Sequence, residues 1–95
     1  MSYELDIRCV PAAGGWACHV TVTEDGSQTS HEVRVPAADL ARLAPSATDP
    51  HELVARSFRF LLAREPKESI LARFDLAVIG RYFAEFESEM ERPAT

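Results

Sequence analysis

Apolar and polar side chains alternate along the first third of the chain, with the period of two that places successive residues on opposite faces of a β-strand. The alternation predicts one strand from Tyr3 to Val10, a second over residues 16–22 and a third from about Thr29 to Val35. The apolar positions that should share one face of the sheet are Tyr3, Leu5, Ile7, Cys9, Trp16, Cys18, Val20, Val22, Val33 and Val35.

Two glycine-containing reversals connect these strands. Gly14-Gly15 allows the first tight turn, and Asp25-Gly26 suits a type I′ hairpin, in which both central residues have positive φ. Closing both hairpins in the simplest register predicts which side chains meet across the sheet. The rungs are Cys9–Cys18–Val33 and Ile7–Val20–His31 on the inward face, and Arg8–His19–Glu32 on the solvated outward face.

The rhythm changes to about 3.6 residues after Pro36, which indicates helices. Residues 37–43 have the composition of a short helix. A second helix should begin at Asp49-Pro50-His51-Glu52, which offers an N-cap, a proline at the first helical position and a capping-box glutamate. Its buried stripe comprises Leu53, Val54, Phe58, Leu61 and Leu62, whereas Phe60 lies off that stripe.

Two further helices are expected in the remainder of the chain. Glu65-Pro66 should end the second helix, because the proline ring removes a backbone donor and restricts the preceding residue. A short helix from about Pro66 to Arg73 follows and would bury Ile70, Leu71 and Phe74. Asp75 has the position of an N-cap for a last helix. The apolar face of that last helix is formed by Leu76, Ile79, Tyr82, Phe83, Phe86 and Met90.

Together these elements predict an α+β fold: a three-stranded antiparallel β-meander over residues 1–36, followed by three to four α-helices over residues 37–92 packed on one face of the sheet. Residues 1–95 contain no linker or repeat, so a single domain is expected. An open sheet leaves its first strand with an unpaired edge, and a homodimer formed through that edge is a further expectation.

Composition narrows the classes of function. Of the 95 residues, 46% are hydrophobic and 26% are charged, and the formal net charge of -5 argues against a general binder of nucleic acid or acidic membranes. No apolar stretch approaches the ~20 residues of a membrane span, and residues 1–6 lack the features of an export signal. We therefore expect a cytoplasmic protein without a membrane partner, whose two cysteines are free thiols.

Three inward residues have side chains that could react or bind a ligand, and they mark a candidate pocket: Cys9, Cys18 and His31. The cysteines oppose each other closely enough for a thiol pair or for two metal ligands, but plain burial is the commoner role of free cysteine. For the histidine, a bond from its ring to a helix-end carbonyl under the sheet is the commoner role. Cys-x-x-Cys spacing, a nucleophile elbow and phosphate-binding glycine motifs are missing from the sequence. The prediction is no cofactor, no metal and no enzymatic activity.

Residues 64–83 have the outline of a helix-turn-helix, with a tight turn at Phe74-Asp75. The candidate nucleic-acid contacts in this segment are Arg64, Lys67, Arg73 and Arg81. Residues 51–73 carry five basic and three acidic side chains, the one locally basic part of the sequence. The glutamates that follow should repel phosphate, so nucleic acid is the less favoured partner.

Glutamates recur through the last predicted helix. Glu85, Glu89 and Arg92 fall on one side at spacings of four and three residues. Such a pattern is typical of a solvated helix face, and it also suits an acidic docking surface for a basic protein partner.

The run SFRFLLAREPKESILARFDLAVIGRYF, residues 57–83, resembles a segment shared by short uncharacterised bacterial proteins of about this length. That resemblance implies a bacterial cytoplasmic origin and a common fold, and it transfers no functional residues because the family has no assigned activity. The family pattern has proline where Ala84 stands in this chain.

The sequence as a whole favours a small non-enzymatic module that binds an as yet unidentified protein partner. The alternative is a nucleic-acid-binding regulator that uses residues 64–83.

Overall fold

Three antiparallel strands form the first part of the fold. The computed structural model describes residues 2–92 and places β1 at Glu4–Ala12, β2 at Gly15–Glu24 and β3 at Ser27–Pro36. The predicted register is confirmed at all three rungs, which are Cys9–Cys18–Val33, Ile7–Val20–His31 and Arg8–His19–Glu32. Alternation of side chains and short turns were therefore sufficient to align the meander.

Both predicted reversals are present. Asp25 and Gly26 have φ of 54° and 79°, the positive values that a type I′ turn requires. Gly15 lies beside the end of β3, opposite Pro36, where a Cβ atom would stand 2.2 Å from the carbonyl oxygen of Val35. Only glycine lets the two strands approach this closely.

The first two helices follow as expected, with α1 at Ala37–Leu43 and α2 at His51–Leu62. Pro50 is the N-cap of α2 and not its first residue, which differs from the prediction of Asp49 as the N-cap. The Asp49 Oδ1 still accepts a hydrogen bond of 2.9 Å from the backbone amide of His51, the first residue of the helix. Glu52 does not complete a capping box. Its carboxylate instead accepts a hydrogen bond of 3.0 Å from Arg59 on the exposed side of the helix.

The short helix predicted from Pro66 to Arg73 is wrong. A single 3-10 turn occupies Lys67–Ser69, and the chain then runs extended into β4 at Arg73–Asp75, which pairs parallel with β3. The amide of Glu32 donates to the carbonyl of Ala72 at 2.7 Å. The open edge of β3 thus gains backbone partners that a helix would not supply, and the sheet is four-stranded and mixed, in the order β1-β2-β3-β4.

The single last helix predicted from Asp75 onward is also wrong. A 3-10 turn at Leu76–Val78 leads into α3 at Ile79–Tyr82, and α4 follows at Phe86–Glu91 after an extended Phe83 with φ -131°. The bend brings two aromatic rings onto Phe60, with centroids 5.7 Å away for Phe83 and 5.3 Å away for Phe86. Phe60, expected off the buried stripe, is therefore only 7% exposed.

The helices cover one face of the sheet, as predicted. The core joins strand residues such as Val20 and Val33 to helix residues such as Phe58 and Leu53, all at most 1% exposed. The opposite face, which bears Arg8, His19 and Glu32, is exposed. None of the helices within residues 2–92 combines the length and apolar character needed to cross a membrane.

Candidate functional site

An apolar cleft of about 230 Å³ opens beside β4, where the end of α2, the Lys67–Ser69 turn, β4 and α3 meet. We call it the β4 cleft. Its walls are mainly apolar and include Ile70, Leu71, Phe74, Val78, Tyr82 and Phe83. Residues 70–72 are not helical and lead into β4, and this course of the chain places Ile70, Leu71 and Phe74 along the cleft.

Two large apolar side chains at the β4 cleft face solvent. Leu71 is 46% exposed and Tyr82 is 69% exposed, although the sequence pattern placed both on buried helix faces. A concave surface whose lining includes exposed aliphatic and aromatic side chains is typical of a binding site.

Polar groups are few in the β4 cleft. Glu65 and Ser69 contribute them, and Glu65 takes part in no ion pair within residues 2–92. A partly exposed carboxylate beside an apolar wall can receive a cationic group from a ligand.

His31 lies beneath the sheet and is only 2% exposed. Its Nδ1 donates to the carbonyl of Leu71 at 2.8 Å, because a carbonyl can only accept, and its Nε2 accepts from the Thr29 hydroxyl at 2.8 Å. Both ring nitrogens are thus satisfied inside the protein. The expectation of a helix-end carbonyl is wrong, because Leu71 lies in the segment between the Lys67–Ser69 turn and β4. His31 therefore holds that segment beside the β4 cleft.

Cys9 and Cys18 form a disulfide, with their Cα atoms 4.0 Å apart across β1 and β2. The expectation of free thiols is therefore wrong, and the thiol-pair alternative holds. Bonded sulfurs are not available as metal ligands. Within residues 2–92 no group of three His, Cys, Asp or Glu side chains is placed to hold a metal ion.

Of the four candidate nucleic-acid contacts, two are engaged inside the chain. The Arg64 guanidinium lies 3.6 Å from the centroid of the Phe60 ring and 3.4 Å from the Glu85 carboxylate. Lys67 is only 4% exposed and donates to Glu68 at 2.7 Å. Arg73 and Arg81 are exposed, but they belong to a strand and a short helix and not to the predicted helix pair.

The candidate docking residues of the last helix also have partners within the chain. Glu85 pairs with Arg64, and Glu89 pairs with Arg92 at 3.3 Å. Arg56 donates to the carbonyls of Glu89, Met90 and Arg92 at 3.0 to 3.1 Å, and so binds the carboxyl end of α4 to α2. These side chains therefore contribute to the stability of the chain's own fold.

Sequence reasoning missed the β4 cleft. The available signal was Pro66 together with the small number of residues before Asp75, since a helix this short depends on packing for its stability. That signal indicates an interruption of helix. It does not indicate that the interrupted segment would join the sheet.

The chain matches no protein-family model, no curated protein and no solved structure. The resemblance of residues 57–83 to short bacterial proteins stays a prediction.

Proposed function

We propose that this chain is a non-enzymatic protein-binding module whose β4 cleft takes up a short segment of a partner protein. The observation that supports the proposal is the exposure of Leu71 and Tyr82 at the cleft, 46% and 69% respectively. Tyrosine is enriched at protein interfaces because its ring supplies a large apolar contact and its hydroxyl a hydrogen bond.

The apolar walls favour an aliphatic or aromatic side chain as the anchor of that segment. Burial of a fully exposed leucine contributes about 1.5–3 kcal/mol, so covering the half-exposed Leu71 contributes about 1 kcal/mol. Tyr82 adds a larger contact. Anchors of this kind account for most of the binding energy in protein interfaces.

Charge specifies the residue next to the anchor. Glu65 lines the β4 cleft without an ion pair among the described residues, and the chain carries a net charge of -5. A lysine or arginine beside the apolar anchor would complement Glu65, whereas an acidic neighbour would be repelled. The expected partner segment therefore combines an apolar anchor with an adjacent basic residue.

Selection from a random peptide library displayed on phage, with the full chain as bait, tests this expectation. Enriched peptides should contain an apolar residue next to lysine or arginine. Leu71→Ser should weaken their binding about fivefold, the equivalent of about 1 kcal/mol of lost apolar contact. Glu65→Lys should change the preferred neighbour from basic to acidic.

Val10→Ser is the matched control, because Val10 is 58% exposed on β1, at the other edge of the sheet. It should bind the selected peptides as the unmodified chain does. No enrichment, or equal binding by the Leu71→Ser variant, would show that the β4 cleft is not a peptide site.

A further inference from the structure

The outer edge of β1 is a second surface, at the opposite side of the sheet from the β4 cleft. Within residues 2–92, β1 has β2 as its one neighbour in the sheet. Its inward residues Leu5, Ile7 and Cys9 are only partly buried, whereas Val20 and Val33 in the inner strands are at most 1% exposed. We propose that two copies of this chain pair antiparallel through β1, in a register centred on Ile7.

Backbone geometry identifies which groups are free at this edge. The Cα atoms of Cys9 and Cys18 are 4.0 Å apart, the short spacing of a pair that exchanges no hydrogen bonds. Amides and carbonyls in an antiparallel strand alternate in direction, so those of Leu5, Ile7 and Cys9 point away from β2. Pro11 is the next such position, and it has no amide hydrogen.

A register centred on Ile7 uses all of these groups. Ile7 exchanges both hydrogen bonds with the partner's Ile7, and Leu5 exchanges both with the partner's Cys9. Asp6 then lies opposite the partner's Arg8, in a pair without hydrogen bonds, where side chains approach most closely. The two side chains are free to do this: Asp6 is 67% and Arg8 is 81% exposed, and their contact within the chain is 3.9 Å long.

Each neighbouring register of the β1–β1 pairing is less favourable for a physical reason. Centring on Leu5 puts Glu4 opposite the partner's Asp6, a like-charge pair that destabilises a sheet. Centring on Cys9 puts Pro11 opposite the partner's Ile7, where a donor is lost. Centring on Asp6 or Arg8 presents backbone groups that point toward β2.

The pairing would join two four-stranded sheets into one of eight strands, with a β4 cleft at each outer end. The two clefts would bind a partner with two target segments more tightly than one cleft does. The dimer itself does not depend on the function proposed for the cleft.

Charge exchange tests the register in the full chain by sedimentation equilibrium. The unmodified protein should be a dimer, and Arg8→Asp and Asp6→Arg should each raise the dimer Kd by about tenfold or more, because each places like charges opposite one another. An equimolar mixture of these two variants should form a heterodimer, since the charges become complementary again.

Arg81→Asp is the control, because it makes the same change of charge on the exposed surface of α3 and should leave the Kd unchanged. A monomeric unmodified chain overturns the proposal. So does a dimer that survives Arg8→Asp, and if Leu71→Ser dissociates that dimer, the copies associate through the β4 cleft instead.

Discussion

The Nδ1 atom of His31 donates a hydrogen bond to the carbonyl oxygen of Leu71, 2.8 Å away and 40 residues along the chain. The imidazole also lies against Phe58, with ring centroids 5.4 Å apart. One buried side chain thus connects the sheet, α2 and the extended segment that forms the β4 cleft.

Replacing His31 by phenylalanine should lower the free energy of unfolding by about 1–3 kcal/mol, because two part-buried hydrogen bonds, to the Leu71 carbonyl and from the Thr29 hydroxyl, are lost while the ring contact is kept. Urea denaturation measures the change. His19→Gln serves as the control: the contact of His19 with Glu32 is half exposed and contributes no more than about 1 kcal/mol. Equal midpoints for the two variants would show that the His31 bonds contribute little.

Arg56→Met should loosen α4, because three carbonyls at its carboxyl end lose the guanidinium that binds them to α2. We expect a loss of about 1–3 kcal/mol in unfolding free energy and faster amide exchange across residues 86–91. Arg59→Met, in the same helix but paired only with exposed Glu52, should change neither quantity appreciably. Unchanged exchange in α4 would contradict the role of Arg56.

Reduction of the Cys9–Cys18 bond should lower the free energy of unfolding by about 2–3 kcal/mol, as expected for a short closed loop. The sheet should persist, because its register is also set by the turns and by the buried face. Guanidinium denaturation with and without dithiothreitol measures the loss. A Cys9→Ala/Cys18→Ala variant must be insensitive to the reductant, and two thiols open to alkylation in the native protein would contradict the bond.

The hydrogen bond from Lys67, followed by one from its own backbone amide, holds the pKa of Glu68 below its usual range. A carboxyl group whose pKa is lowered in the folded state stabilises the fold at pH values above its ordinary pKa. That stabilisation is lost as the pH falls through the lowered pKa. Lys67→Met should raise the pKa of Glu68 toward the usual range, and Lys67→Arg should keep it low. Carbon-detected NMR titration of the Glu68 carboxyl measures both, and identical titration in Lys67→Met and the unmodified chain would refute the cause.

Predictability differed between the two halves of the chain for a physical reason. Strand alternation has a period of two, so a slip of one residue would expose every apolar side chain of a strand, and Cys9 could be placed opposite Cys18 from pattern alone. Helical spacing constrains the positions of side chains less than strand alternation does. Leu71 and Tyr82 fit an apolar stripe in the sequence, yet both face solvent, because neither segment continues long enough as a helix to bury them.

The candidate site was likewise predictable only in the part that belongs to the antiparallel strands. The sequence places His31 on the inward face of the sheet and predicts a bond from its ring to a helix-end carbonyl. The acceptor is instead the Leu71 carbonyl, in the segment before β4. Neither that acceptor nor the cleft beside it follows from local pattern, because both depend on residues 73–75 pairing with the edge of β3.

Local periodicity and turn chemistry were enough to specify the three-stranded meander, its register, its turns and the face on which α1 and α2 pack. Long-range packing settled the rest: Arg73–Asp75 is a strand, Phe60 is buried and the β4 cleft is open. Those outcomes depend on which distant backbone groups and rings remained unpaired once the sheet had formed, and no local pattern carries that information.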